Sequence, residues 1–355
     1  MKRLLYFSVW LFCAHGFSLS GECFGRSQSL RNVYVEMDTT AEKMLVAQRN
    51  SGGWPKQIDT KAFNYNQVWT KEFTGRVQAG FSHSDATIDN HATSREIRYL
   101  IDAYQKTKDN RYLASAEAGI SYLLKMQYQN GGFPQFYPDT SGYRKHITYN
   151  DNAMLNALRV LQDVAKSENG FAAVNAGLKK RSALAVEKGI GCILKTQIRI
   201  NGKPAVWCAQ HDHVTLLPAK ARSYELPSYS AAESVDITRF LMGIKNPSAE
   251  VKAAVNGAAN WLQKATLTGF KTERIKDASQ PKGQDVVVIP AEGAKIWARF
   301  YDLESGKPFF CGRDGIKKEK LSEIENERRT GYAYYGTWPE KLLLTQYPAW
   351  LSDNK

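Results

Sequence analysis

The chain has 355 residues, with 48 Lys and Arg against 35 Asp and Glu, a formal net charge of +13. That balance points to an anionic partner: nucleic acid, an anionic membrane surface or an acidic polysaccharide. The basic residues are dispersed rather than gathered into a run, which argues against a nucleic-acid arm, and 43% apolar residues are enough for a substantial core.

At the start, Met1-Lys2-Arg3 supplies positive charge, Leu4 to Phe12 is almost unbroken apolar sequence, and Ser18 and Ser20 put small residues before Gly21. This is the layout of a secretory signal, too short and wrongly flanked for a membrane span. The expectation is an exported protein, extracellular or periplasmic, with a signal at 1–20 and one domain at 21–355. Export leaves Cys23, Cys192, Cys208 and Cys311 in an oxidising compartment, where Cys192 and Cys208 are the nearest candidate pair. No CxxC motif or recognised Cys/His metal spacing occurs, so neither a zinc site nor a thiol nucleophile is expected.

A weak internal repeat follows in chain order. Gly52-Gly53-Trp54-Pro55-Lys56-Gln57, Gly131-Gly132-Phe133-Pro134-Gln135 and Asn201-Gly202-Lys203-Pro204-Ala205-Val206-Trp207 resemble one another. Each follows a helix-like stretch containing or ending in Gln: Ala41–Asn50 with Gln48, Arg111–Gln127 and Ser182–Gln197. Glycine permits a left-handed helix end and the proline blocks continuation.

After each turn comes an Asp, Asn or Ser cluster that leads into a second helix. Asp89-Asn90 precedes His91–Gln105, Asn150-Asp151-Asn152 precedes Ala153–Ala165, and Tyr229 to Glu233 precedes Ser234–Ile244. Apolar positions such as Met154, Leu155, Leu158 and Leu161 recur at helical spacing. The pattern is three helical hairpins in a ring, with their turns on one face. Strand signals are scarce; Asp285–Ile289 is the clearest, and Phe63–Phe81 reads as a long loop.

One capping oxygen per helix would suffice, so the doubled Asp89-Asn90 and Asn150-Asp151 pairs are read either as plain caps or as hard oxygen ligands suited to calcium. Arg222, in Lys220-Ala221-Arg222-Ser223-Tyr224-Glu225, falls on the same face of the ring, although a surface arginine is the plainer reading. Arg313-Asp314-Gly315 can bind a carboxylate through a forked guanidinium or serve only as a turn. Lys317–Arg329 mixes charge signs at helical spacing and reads as a solvated helix face, with Arg328-Arg329 as exceptions.

Nine segments in order, GGWPKQ, TIDNHAT, GGFPQFYP, TYNDNAM, VWCAQHD, ARSYELPS, ARFYDL, PFFCGRDG and ERRTGYAYYG, resemble the pectate lyases of polysaccharide lyase family 10. The resemblance runs from about Gly52 to Gly336. It implies an all-α fold, an (α/α)3 toroid of hairpin repeats, in a monomer that neither inserts into membranes nor binds nucleic acid. It implies calcium-dependent anti β-elimination on polygalacturonate, giving 4,5-unsaturated products. Carried over motif by motif, Asp89, Asn90 and Asp151 would hold calcium and Arg222 would take the C5 proton. Arg313 would contact a substrate carboxylate, and Lys220, Arg299 and Arg329 would be further substrate-facing positions. Two other readings stay open on the residues alone: a secreted glycoside hydrolase with Asp89 and Asp151 as acid and base, and a non-catalytic binder of acidic polysaccharide.

Overall fold

The computed structural model describes residues 37–354; the export signal read at 1–20 and Cys23 lie outside them. Eight helices carry the first two thirds of the described chain: α1 (Thr39–Ala47), α2 (Lys71–Ala79), α3 (Ser94–Thr107), α4 (Asn110–Met126), α5 (Ala153–Lys166), α6 (Ala176–Thr196), α7 (Ala231–Met242) and α8 (Ala249–Lys264). Helix α2 occupies much of the stretch that reads as a loop in the sequence.

Short connections pair α3 with α4, α5 with α6, and α7 with α8. Helices α3, α5 and α7 then lie side by side in one row, and α4, α6 and α8 in another. Between the rows sit the side chains that the helical spacing marked: Ile97, Leu100, Met154, Leu155, Leu158 and Leu161 are all fully buried.

A glutamine side chain fixes each turn between rows. Gln48 Nε2 donates to the carbonyls of Gly52 (2.8 Å) and Ser115 (2.9 Å). Gln127 does the same to Gly131 (3.0 Å) and Ala185 (2.8 Å). Gln197 does so to Ala205 (2.9 Å) and Ala254 (2.9 Å). In each case one bond holds the local turn and the other reaches the next helix of the α4, α6, α8 row, so the sequence repeat is a physical repeat. Gly52 and Gly131 adopt φ of +95° and +92° several residues beyond the helix end rather than at it. A Cβ on Gly131 would lie 2.0 Å from the Lys188 carbonyl, so the turn can approach α6 only as glycine.

The aromatic residue after each turn, Trp54, Phe133 or Trp207, is buried, and the two indoles serve the helices they have just left. Trp54 Nε1 donates to Met44 (2.7 Å) and Trp207 Nε1 to Ile193 (2.8 Å), each a carbonyl in a last helical turn. Trp297 repeats the bond to Leu262 (2.7 Å) in α8, which makes a fourth copy of the unit after the three visible in the sequence.

The all-α expectation fails here. Strands Leu267–Lys276 and Gln284–Ala298 form a long antiparallel hairpin, extended by Tyr335–Gly336. Five further two-stranded ladders lie among the described residues, including Ile147–Thr148 with Gln210–His211 and Phe300–Tyr301 with Tyr229–Ser230. The fold is therefore mixed α and β rather than a toroid of helices alone. Only Asp285–Ile289 of this hairpin was legible as a strand, because both its faces are largely wet and alternation along the rest is weak. Two-residue ladders have no period at all. The charged run at 317–329 is not one helix either: only α9 (Asn326–Gly331) is helical at α geometry, ahead of α10 (Tyr347–Asp353). Cys192 and Cys208 are buried free thiols, so the disulfide considered between them is not formed.

The glutamine bridges give a stability test. Gln197 is buried, and Gln197→Ala strips donors from the Ala205 and Ala254 carbonyls. A loss of about 2–4 kcal/mol in urea unfolding is expected. A loss within error of zero would mean that water satisfies both carbonyls.

Candidate active site

The site lies where α3, α5 and α7 begin. Helices α1, α4, α6 and α8 start with side-chain caps from Asp38, Asp109, Asn175 and Ser248. Helices α3, α5 and α7 have none. The Asp and Asn residues ahead of them are thus not spent on capping, and the plainer of the two sequence readings is removed.

Instead they build two tight turns, Asp89–His91 and Asn150–Asn152, packed against each other. The second residue of each turn is left-handed: Asn90 at φ 49°, ψ 41° and Asp151 at φ 51°, ψ 27°. Asn and Asp tolerate this region better than other side-chain-bearing residues. The carboxylate and amide exchange places between the two turns. Asp89 is first and buried, with Asn90 exposed; Asn150 is first and buried, with Asp151 exposed. Asp89 Oδ1 accepts from the Asn90 N–H (3.1 Å), its other oxygen pairs with the Lys56 ammonium, and Asn150 Nδ2 donates to Asp151 (2.8 Å).

The electrostatics show what the pair lacks. Desolvation raises the pKa of Asp151, the Asp89 charge raises it further, and Glu233 adds to the effect against the lowering influence of Arg299 and Arg222. The Asp151 carboxylate is thus held at a partly desolvated position beside a second carboxylate, where positive charge would stabilise it. Oxygen donors from Asp89, Asn90 and Asp151 suit a hard divalent cation such as calcium, which would supply the missing charge.

Opposite the carboxylates stands a group of guanidiniums. Arg299 is nearly buried, ion-paired to Glu233 in the first turn of α7, and lies 4.6 Å over the Tyr332 ring. Desolvation opposes its charge, but Glu233 more than offsets this and its pKa is raised; its Nε is buried without a partner. Arg222 makes a forked pair with Glu225 (Nε to Oε2 2.8 Å), and that hydrogen bond raises the Arg222 pKa despite opposing desolvation. Tyr224 gathers three cations: Arg222 at 4.8 Å, Arg313 at 5.8 Å and Arg328 at 4.5 Å from its ring centroid. Arg313 is exposed, reaching Glu327 at 3.1 Å.

Of the residues singled out in the sequence, Asp89, Asp151, Arg222 and Arg299 act on one another, and Arg313 joins them through Tyr224. Lys220 is exposed near the Cys311–Gly315 turn. Arg329 stands apart, with a forked pair to Asp285 on the hairpin (2.8 and 2.6 Å); its neighbour Arg328 is the one beside Tyr224. Sequence reasoning missed Lys56, Glu225, Glu233 and Tyr332. Glu225, three residues after Arg222, carried a readable pairing signal; Glu233 and Tyr332 meet Arg299 only through the fold.

The sequence pattern of the family described as Pectic acid lyase matches residues 48–343. That decides the identification. The chain belongs to the pectate lyases of polysaccharide lyase family 10. Among solved structures, a family 10 polysaccharide lyase from Cellvibrio cellulosa is 35% identical, with 88% of this chain and 92% of that one covered at a TM-score of 0.76. An aspartate-to-alanine mutant of a family 10 lyase from that organism, in complex with trigalacturonic acid, is 34% identical over 87% and 92% of the two chains, also at 0.76. No curated protein matches the chain. This family 10 lyase has, among its described residues, no helix long and apolar enough to cross a membrane.

The raised pKa of Asp151 sets a sign. An acid whose folded pKa exceeds its unfolded value favours folding below the unfolded pKa, and loses that contribution as pH rises through the folded pKa. Above that point Asp151 is a liability that a bound cation relieves. Asp151→Asn should raise the thermal midpoint of the chelated lyase slightly at neutral pH and abolish its response to calcium. A calcium-induced shift that persists in Asp151→Asn removes Asp151 from the cation site.

Proposed function

We propose that this family 10 lyase is a secreted pectate lyase cleaving de-esterified polygalacturonate by calcium-dependent anti β-elimination. The observation that carries the reading is the juxtaposition of the two carboxylate turns with Arg299, Arg222 and Arg313. Such a surface bridges to a polyanion through a shared cation on one side and guanidiniums on the other. The binding of trigalacturonic acid by a related lyase, and the +13 charge, support the same substrate class.

Asp89, Asn90 and Asp151 are the residues that would hold calcium, which supplies positive charge against the uronate carboxylate and so acidifies C5–H. Arg299, held by Glu233 and stacked on the Tyr332 face, adds fixed positive charge on the side of that carboxylate. Elimination removes the C5 proton; the electron pair becomes the C4–C5 double bond, and the C4–O glycosidic bond breaks. The leaving oxygen then takes a proton.

Arg222 is assigned the C5 proton. Its pair with Glu225 works against that role, because a carboxylate at hydrogen-bond distance favours the charged guanidinium. Substrate binding must therefore draw Arg222 off Glu225 and place it beside other cations before it can act as a base. Arg313, on the same Tyr224 ring but exposed, is the second guanidinium able to serve.

Product formation is followed as ultraviolet absorbance of the 4,5-unsaturated uronate at alkaline pH, with calcium and then with a chelator. A calcium-dependent rise is expected; reducing ends without the chromophore would contradict elimination, and bound polymer without product would contradict catalysis. Lysine preserves charge but not the forked geometry. The base should be whichever of Arg222→Lys and Arg313→Lys lowers kcat about 100-fold or more, while the other chiefly raises KM. Unchanged kcat in both would overturn a guanidinium base.

A further inference from the structure

Outside the active site, the ladder between Ile147–Thr148 and Gln210–His211 ends in a cluster of titratable side chains. The strands pair antiparallel with Ile147 opposite His211, so the register sets His146 against Asp212 and His213. The Nδ1 atoms of His146 and His213 each lie 3.9 Å from Asp212 Oδ2, and one ligand atom from each residue falls within 4.8 Å of the other two. Both Nδ1 atoms are buried and neither has a hydrogen-bond partner. Two converging orphans of this kind are costly unless something satisfies them.

Asp212 divides its two oxygens between tasks. Oδ1 accepts from the N–H groups of Val214 (3.0 Å) and Thr215 (2.8 Å) and from the Thr215 hydroxyl (3.1 Å), which fixes the turn. Oδ2 is left facing both imidazoles. The surroundings hold the rings in place: Tyr128 packs on His213 at 5.3 Å, its hydroxyl donates to the Lys145 carbonyl (2.8 Å), and Asn130 Nδ2 donates to the His213 carbonyl (2.8 Å). Desolvation lowers the His146 pKa against the pull of Asp212, which favours the neutral ring that metal binding requires.

We propose that His146, Asp212 and His213 form a divalent transition-metal site, of the class that takes Zn2+, clamping the segment ahead of Asp151 to the turn after His211. Two imidazole nitrogens and one carboxylate oxygen suit zinc and its borderline neighbours rather than calcium, and leave further positions for water. A tetrahedral zinc centre sets its ligand atoms roughly 3.4 Å apart, so the two 3.9 Å pairs must close by about half an ångström and the two imidazole nitrogens by up to about 1.4 Å. The ligands come from segments 66 residues apart in sequence, so no short Cys/His spacing reveals them. The site is independent of the polysaccharide reaction.

Untagged, chelator-stripped protein is titrated calorimetrically with ZnCl2 in excess calcium, which occupies the Asp89 and Asp151 turns. One tight equivalent is expected, with a higher thermal midpoint, and Co2+ should give the intense visible bands of a low-coordinate site. His146→Gln and His213→Gln, checked for helicity by circular dichroism, should each lose that equivalent. No stoichiometric binding by the unaltered protein, or the same binding by a folded His213→Gln, would overturn the proposal. The first of these outcomes stands even if a variant does not fold.

Discussion

Each crossing between the helix rows depends on a side-chain amide that must satisfy two carbonyls at once. Gln48, Gln127 and Gln197 each hold their own turn and the next helix of the outer row. The turn so fixed delivers Trp54, Phe133 or Trp207 into the core, and the backbone at those aromatics engages the segment entering the next helix. Trp54 and Trp207 receive hydroxyl oxygens from Thr93 and Ser234 on their N–H groups, at 3.0 Å in each case. Through this chain of contacts, a packing requirement in the core decides where Asp89, Asp151 and Glu233 emerge. The carboxylate residues thus rest at helix starts, which limits how far they can drift from working geometry, whereas Arg222 and Arg313 stand on turns.

The site is organised as a charge imbalance held in place. Carboxylates at the starts of α3, α5 and α7 sit at the positive ends of the helix dipoles, which helps keep them ionised. Desolvation, with repulsion from Asp89 and Glu233 added, still pushes the Asp151 pKa upward. Arg299 and Arg222, facing them, are each tied to a glutamate rather than to the turn carboxylates. Asp89 is paired with Lys56 and Glu233 with Arg299, which leaves Asp151 as the carboxylate of this group without an ion pair among the described residues. Left-handed geometry at Asn90 and Asp151 is the local strain that this arrangement tolerates.

The sequence made much of this legible, for identifiable reasons. A repeat of Gln, Gly and Trp or Phe with Pro is visible because each residue performs a task no other type performs as well. The helices were readable from apolar spacing, and Asp89 and Asp151 because doubled polar pairs exceed what capping needs. Strands were not, apart from Asp285–Ile289. The hairpin at 267–298 is wet on both faces and the small ladders are two residues long, so neither leaves a period. The fourth aromatic unit, at Trp297, was hidden because a strand, not a Gly-Pro turn, brings it to α8. Partnerships across the fold, such as Glu233 with Arg299 or Arg329 with Asp285, follow from topology alone. The motif reading therefore placed Arg329 where Arg328 stands.

The central claim is that cation and polyanion complete one another on this surface. It is tested most directly by calorimetric titration of calcium into the lyase with and without saturating trigalacturonate, under conditions where turnover is negligible. The account predicts that each ligand tightens the other by the same factor, as linkage requires, and that the coupling vanishes in Asp151→Asn. Calcium affinity indifferent to trigalacturonate, or coupling that survives in Asp151→Asn, would contradict it.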